Sequence, residues 1–186
     1  TAARVVEPHL DALAILDQAG VAAQTLSPDR AAGVGSWGVF AAEGPGVRLA
    51  AVEDSSGWTL SGTKPWCSLA DRLSHAIVTA ATGATSRRAF AVALRHPGVH
   101  AGEAPWVSRG LAEVVSGPVA FEDVPAVPVG DDDWYLTRPG FAWGGIGVAA
   151  VWYGAAGALA DRLRTAAAAR TPDQLALYHL GAVAVA

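Results

Sequence analysis

The residues best suited to chemistry lie together in the stretch GTKPWCS, residues 62–68. Here the indole of Trp66 precedes the hydroxyl of Ser68 by two positions, and the only thiol of the chain, Cys67, lies between them. An indole offers a flat apolar wall, and a hydroxyl donates a hydrogen bond without adding charge. On residue types alone, the alternative is that Trp66 packs in a core while Ser68 caps a turn. We expect the stretch to lie in a turn between two strands.

Two residues within the same stretch bear on its shape. Pro65 fixes its own φ and removes a donor, which would stiffen the approach to Trp66. Lys64 could meet a phosphate or a carboxylate, but most lysines in such a position are solvated.

Other candidates for chemistry are weaker. The run Asp131–Asp133 could attract a cation, but a solvated loop is the preferred interpretation. Nothing in the chain resembles a nucleophile elbow. The histidines lack metal-ligand spacing, so we expect no metal site and surface or hydrogen-bonded roles for His9, His75, His96, His100 and His179.

The totals describe a globular chain with a sizeable core. Hydrophobic residues make up 52% of the 186 positions and charged residues 16%, whereas disordered segments are rich in charge. The net charge is −4 and the basic residues are scattered, without the basic stripe that nucleic acid requires. A single cysteine excludes an intrachain disulfide and fits a reducing compartment, and no basic-then-apolar leader opens the sequence. We expect a cytoplasmic protein that binds no nucleic acid.

The elements fall into three blocks. Helical spacing over residues 4–19, with Gly20 as the stop, precedes a turn-rich linker over residues 21–35. Short runs rich in Val, Phe and Trp then predict antiparallel strands in a barrel or sandwich, with EDSSGW as a hairpin turn. The runs are residues 37–42, 47–53, 57–62, 75–81, 88–94 and 117–124.

The last block is helical. Residues 140–169 are mostly Ala, Gly and aromatics, and Thr171 and Pro172 predict the N-cap and first position of another helix. The fold class is therefore α+β: an N-terminal helical segment and linker (1–35), a middle antiparallel β-barrel or sandwich domain (36–130) and a C-terminal helical segment (131–186).

The uncharged residues 139–160 are long enough to span a bilayer. The alternative is a helix buried in a soluble bundle. The abundance of Ala and Gly favours close helix–helix approach, including across a subunit interface, so we expect no membrane insertion and a homodimer or homotetramer.

Three phrases in order resemble the acyl-CoA dehydrogenase family. VFAAEGPG (39–46) stands where the family has F-A-L-T-E-P, and LSGTKPWCSLA (60–70) matches N-G-T-K-x-W-I-T-N. FEDVPAVPV (121–129) then resembles the phrase that closes the family's β-domain, ahead of an Ala/Gly-rich helix. The resemblance runs from about Trp37 to Gly157 and implies an acyl-CoA dehydrogenase-like fold, in a partial or divergent member.

The resemblance implies a flavin site. In the family, the residues matching Trp66 and Ser68 lie beside the ring of FAD, with the hydroxyl near its reactive nitrogen. A flavin needs such a donor and an apolar wall. The loop after the first strand would offer main-chain N–H groups to the other edge of the ring. The implied cofactor-binding set is Phe40, Ala41, Ala42, Glu43, Trp66, Cys67 and Ser68.

The implied activity is α,β-dehydrogenation of an acyl-CoA or acyl-carrier thioester, with hydride transfer to FAD, as in fatty acid metabolism. An electron-transfer acceptor protein would be a further partner. The reaction needs a carboxylate base, yet none stands near Trp143 to Gly145, so the catalytic residues are unknown. The alternative function is a non-catalytic binding or assembly module on the same scaffold.

Overall fold

The computed structural model describes residues 2–23, 35–105 and 109–185, so most of the predicted linker lies outside the described residues. The order of elements confirms the predicted α+β class, with a helix before and helices after a β-barrel. The elements are α1 (Ala2–Gln18), β1 (Trp37–Phe40), β2 (Leu49–Asp54), β3 (Gly57–Ser68), β4 (His75–Ala81), β5 (Arg87–Ala93), β6 (Val99–Ala101), β7 (Ser116–Val129), α2 (Trp134–Thr137), α3 (Phe141–Ala169) and α4 (Gln174–Ala184).

The strands form one sheet that closes on itself. Its order is β1-β4-β2-β3-β7-β5; a further pairing of β4 with β5 completes the barrel, and β6 adds to β7. The expectation of a purely antiparallel sheet is wrong, because β4 runs parallel to both β1 and β2. These strands are not consecutive, so no hairpin turn constrains their relative direction.

β1 and β2 share the same edge of β4. β1 pairs with β4 from Trp37↔His75 to Phe40↔Val78, whereas β2 joins only at Ala50↔Ala81. The sheet therefore divides beside Thr79, and the loop that leaves β1 emerges at this division.

The predicted hairpin is confirmed. β2 and β3 pair antiparallel out to Asp54↔Gly57, and Gly57 has a φ of +116°. The Asp54 carboxylate accepts hydrogen bonds from both the main-chain N–H and the hydroxyl of Ser56. This short turn fixes the register of β3 and hence the position of the residues at its far end.

Two apolar clusters lie on the two faces of the barrel wall. Side chains that alternate along β4 and β5, such as Val78 and Phe90, lie in the barrel interior. Those in between, such as Ile77 and Ala91, pack with Ile15 and Leu16 of α1 on the outside. Because both faces are covered, β4 is buried from His75 to Ala80, including the polar side chains of His75 and Thr79.

α1 ends as predicted at a glycine. Gly20 has a φ of +68°. Its N–H bonds the carbonyl of Asp17, and the N–H of Val21 bonds that of Leu16. These two bonds form a Schellman motif, in which a left-handed glycine satisfies the last carbonyls of the helix.

The chain separates into two compact units, Thr1–Gly144 and Gly145–Ala186. α3 confirms the long helix expected after residue 140, and among the described residues it is long and apolar enough to cross a membrane. α4 begins later than predicted: Asp173, not Thr171, is its N-cap, because the Asp173 carboxylate accepts from the N–H of Ala176.

Candidate functional site

The stretch GTKPWCS is the end of strand β3 rather than a turn between strands. β3 runs without a break from Gly57 to Ser68, and it pairs with β7 as far as Ser68↔Ser116. The expected turn is wrong because the long partner strand β7 continues alongside the whole stretch.

A bulge interrupts this pairing. Lys64 faces Val119 and Cys67 faces Gly117, so two residues of β3 stand opposite one of β7. The extra residue is accommodated at Trp66, whose φ is +58°, a left-handed conformation that a bulky side chain rarely adopts. Strain of this kind is a reason to look for function nearby.

The bulge determines which side chains face outward. In a regular strand Lys64 and Trp66 would share a face. Here Lys64 and Cys67 are both buried, whereas Trp66 remains 49% exposed. The left-handed residue thus presents its indole at the barrel surface, where a planar ligand could stack on it.

Ser68 is partly buried, and its hydroxyl lies 2.5 Å from that of Ser116 on β7. Ser116 could not be recognised from the local sequence pattern, because it lies 48 positions further along the chain. If Ser116 donates to Ser68, the Ser68 proton is available to a second acceptor. The pair therefore qualifies as an uncharged donor next to Trp66.

Cys67 and Phe40 contribute their side chains to the barrel core. Burial raises the pKa of the Cys67 thiol to about 12, against an ordinary value of 9.0. A thiol held in its protonated form is a poor nucleophile. Any contact of these two predicted site residues with a ligand would therefore be through the main chain.

The loop Ala41–Gly44 leaves β1 and lies against the end of β3. The hydroxyl of Thr79 donates to the carbonyl oxygen of Ala41 at 3.5 Å. A side chain added at Gly44 would come within 3.2 Å of the Pro65 ring, so the loop backbone and Pro65 are in close approach. Ala42 is exposed. The structure thus brings this loop next to the residue that precedes Trp66.

Lys64 is buried, contrary to the expectation that it would be solvated. Its ammonium donates to Glu43 Oε1 at 2.6 Å, to the Thr79 carbonyl at 2.7 Å and to the Thr79 hydroxyl at 2.8 Å. Burial lowers the pKa of Lys64, and the hydrogen bond to Glu43 opposes that effect. Lys64 therefore joins the loop, β3 and β4.

Two cavities adjoin these residues. One, of about 210 Å³, is lined by Cys67, Asp71, Val115 and Gly117, among others. The other, of about 350 Å³, lies beside the loop and includes Glu43, Arg48, Ser86 and Arg87 in its lining.

No carboxylate occupies the predicted early position of the base, Trp143 to Gly145. The Asp11 carboxylate does lie against Gly144. It accepts a hydrogen bond from Arg138 at 2.9 Å, and Arg138 also bonds Gln18. Asp11 is thus engaged in an ion pair, and the catalytic residues stay unassigned.

Comparison with protein-family models finds no match, and neither does comparison with curated proteins. Solved structures of similar fold are numerous. A probable acyl CoA dehydrogenase from Mycobacterium abscessus has a TM-score of 0.72 at 21% identity, with 95% of this chain and 53% of that chain covered. The Tcur3481–Tcur3483 steroid ACAD variant has a TM-score of 0.69 at 24% identity, covering 94% and 50%.

A third similar structure is KijD3 in complex with FMN and a dTDP-linked amino keto sugar, with a TM-score of 0.60 at 21% identity, covering 98% and 52%. The chain thus spans about half the length of the structures that it resembles. These likenesses confirm that the chain has the acyl-CoA dehydrogenase fold. That fold is also found in KijD3, which is described with FMN.

Proposed function

We propose that this protein is a flavin-dependent oxidoreductase and that its barrel provides one wall of the flavin site. The observation that carries the proposal is the indole of Trp66, held outward by a left-handed backbone and half exposed. Two uncharged groups lie close to it along the chain: the Ser68–Ser116 hydroxyl pair two positions further along β3, and the main chain of the loop at Gly44, which lies against Pro65. Hydroxyl and main-chain groups beside an exposed aromatic face suit a planar ring system such as a flavin.

Each element of the site would have a distinct role. Trp66 would stack against the ring, and Ser68 would donate to a ring nitrogen while Ser116 fixes the direction of its proton. The exposed loop at Ala42 would approach the opposite edge of the ring. A bound flavin, FAD in our proposal, would supply the two-electron acceptor that no side chain provides.

The finer proposal is α,β-dehydrogenation of an acyl-CoA or acyl-carrier thioester, followed by delivery of electrons to an acceptor protein. The three sequence phrases and the fold of the acyl-CoA dehydrogenases support it. The visible absorption spectrum of the purified protein tests the cofactor: we expect flavin bands, or their appearance on adding FAD. A colourless protein that takes up no flavin would contradict the proposal.

The second candidate is a non-catalytic binding or assembly module. The missing base favours it: no carboxylate stands from Trp143 to Gly145, and Asp11, which lies against Gly144, is already held in an ion pair with Arg138. Turnover of acyl-CoA with an artificial electron acceptor separates the two functions. Reduction of the acceptor supports the enzyme, and flavin binding without turnover on any acyl chain length supports the module.

We also propose that the protein forms homo-oligomers. Within the unit Gly145–Ala186, large apolar side chains of α3 are exposed, including Ile146, Trp152, Tyr153 and Leu159. Exposed apolar surface on this scale is typical of an interface. Sedimentation in the absence of detergent tests this: a soluble dimer or tetramer is expected, whereas partition into the membrane fraction would contradict it.

A further inference from the structure

We infer that Lys64 is a positioning residue: its buried ammonium holds the Ala41–Gly44 loop and the outward indole of Trp66 in the geometry that a ring ligand requires. The inference rests on the proposed function for the identity of that ligand, a flavin. It concerns how this chain builds its site, and it can be tested with or without flavin.

The surroundings of Lys64 are built for an ammonium. The side chain is 1% exposed, and its three N–H donors have three oxygen acceptors within 2.6–2.8 Å: Glu43 Oε1 and both oxygens of Thr79. An ammonium has three donors and no acceptor, so its hydrogen-bonding capacity is fully used. The acceptors come from the loop and from β4, two segments that no direct strand pairing joins at this point.

The position of Thr79 shows which main-chain hydrogen bond the Lys64 ammonium replaces. β1 pairs with β4 only as far as Val78, and β2 joins at Ala81, so the carbonyl of Thr79 lies where the sheet divides. The Lys64 ammonium donates to that carbonyl from β3. The ammonium thereby takes the place of the N–H of a neighbouring strand as the donor to this carbonyl. It also holds the loop where the loop leaves β1.

The presence of a lysine at position 64 indicates that the side chain serves to position the loop, rather than to supply a positive charge. The chain has 13 lysines and arginines, and Lys64 is its one lysine. A buried ion pair contributes little net stability compared with apolar residues of similar volume, and its best-attested use is to specify geometry. Arginine would present a planar fork of five N–H donors, and the three oxygen atoms grouped around the Lys64 ammonium could not accept from all of them.

The ammonium and the indole depend on each other through the bulge. Lys64 and Trp66 can face opposite sides only because Trp66 is left-handed. Anchoring Lys64 to Thr79 therefore favours the conformation that turns the indole outward. Releasing the anchor allows β3 to return to regular alternation, which would turn one of the two side chains to the other face.

The test compares Lys64→Met with Arg138→Met in the full chain. Arg138 is the other buried Lys or Arg side chain among the described residues, and it pairs with Asp11 of α1 rather than with the loop. Two measurements are made: hydrogen–deuterium exchange of residues 41–44 without ligand, and affinity for FAD and FMN. We expect Lys64→Met to speed exchange of the loop and weaken flavin binding, each by about tenfold, the effect of losing one charge-assisted hydrogen bond. Arg138→Met lowers global stability, but it is expected to leave unchanged both the exchange of residues 41–44 relative to the barrel strands and the flavin affinity of the folded protein.

Glu43→Gln is the second variant, because it keeps the shape of the loop and removes only the carboxylate. It is expected to shift loop exchange in the same direction by a smaller factor. Loop exchange in Lys64→Met equal to wild type, or increased equally in Arg138→Met, would overturn the inference. If the wild-type protein binds no flavin, the proposed function fails, and the exchange data still decide whether Lys64 positions the loop.

Discussion

The hydroxyls of Ser68 and Ser116 lie 2.5 Å apart across the β3–β7 pair, at the last pairing of the two strands. When Ser116 donates to Ser68, the hydroxyl proton of Ser68 is left for a flavin nitrogen to accept. We expect Ser68→Ala to weaken flavin binding by up to about tenfold, the range for one neutral hydrogen bond. Titration of the purified protein with FAD, followed by absorbance, measures the change.

Two further variants control this experiment. Ser68→Thr keeps the hydroxyl and should bind flavin nearly as wild type does, whereas Ser116→Ala should weaken binding less than Ser68→Ala, because it acts through Ser68. Equal flavin affinity in wild type and Ser68→Ala would show that the Ser68 hydroxyl does not contact the flavin.

The Cys67 thiol is expected to resist alkylation in the folded protein. Its pKa is raised from 9.0 to about 12 by burial, so near neutral pH its thiolate fraction is about a thousandfold below that of a free cysteine. Iodoacetamide should modify the native chain slowly and the unfolded chain readily. Because this is the only cysteine, the mass of the product reports on it alone. Rapid labelling of the native protein would show that the thiol is accessible.

The same thiol makes stability depend on alkaline pH. Its folded pKa is raised, so its contribution to the free energy of unfolding is complete below the unfolded value of 9.0 and is lost as the pH rises through about 12. Urea unfolding of wild type and Cys67→Ala across this window measures it. As the pH rises, the free energy of unfolding of wild type should fall more steeply than that of Cys67→Ala. Parallel curves of stability against pH would show that the Cys67 thiol is not the source of the dependence.

Arg138 is expected to matter for folding. It is buried and bonds both Asp11 and Gln18 of α1. Arg138→Met would leave the Asp11 carboxylate, also largely buried, without its partner, and we expect a loss of about 3 kcal/mol in the free energy of unfolding. Arg164→Met removes an exposed pair with Asp161 and should change stability by less than about 0.5 kcal/mol. Equal losses of stability in Arg138→Met and Arg164→Met would contradict the difference expected between a buried and an exposed ion pair.

Two glycines with similar φ angles allow the cost of backbone strain to be measured separately from the cost of a steric clash. Gly57 has a φ of +116° and open space around it, whereas Gly62 has a φ of +121° and lies against the main-chain carbonyl of Arg48. Gly57→Ala should cost about 1–3 kcal/mol from strain alone. Gly62→Ala should cost about 1–3 kcal/mol more, because the new methyl group must displace a backbone. Thermal unfolding measures both, and equal losses would contradict the close approach at Gly62.

Elements with local signals could be predicted from the sequence. The hairpin at Asp54–Gly57 and the helix end at Gly20 follow from turn chemistry, and both are confirmed. The β-barrel was predicted from strand spacing and composition, and the fold itself from the three phrases.

Features that depend on distant pairing could not be predicted. The direction of β4 relative to β1 and β2 depends on segments that hairpin rules do not connect. The burial of Lys64 depends on Thr79, and the role of Ser116 depends on the β3–β7 register. Local patterns carry no information about these tertiary contacts, so Lys64 was expected in solvent and Ser116 was not a candidate.

The central claim is that Trp66 forms one wall of a flavin site. The most direct measurement is titration of FAD and FMN into wild type and Trp66→Ala, with flavin absorbance and tryptophan fluorescence recorded together. We expect saturable binding with a perturbed flavin spectrum and quenched indole emission in wild type. Binding to Trp66→Ala should be weaker by about 5- to 150-fold, because base–aromatic stacking of comparable size contributes about 1–3 kcal/mol. Equal affinity in the two proteins, or no binding of either flavin to wild type, would contradict it.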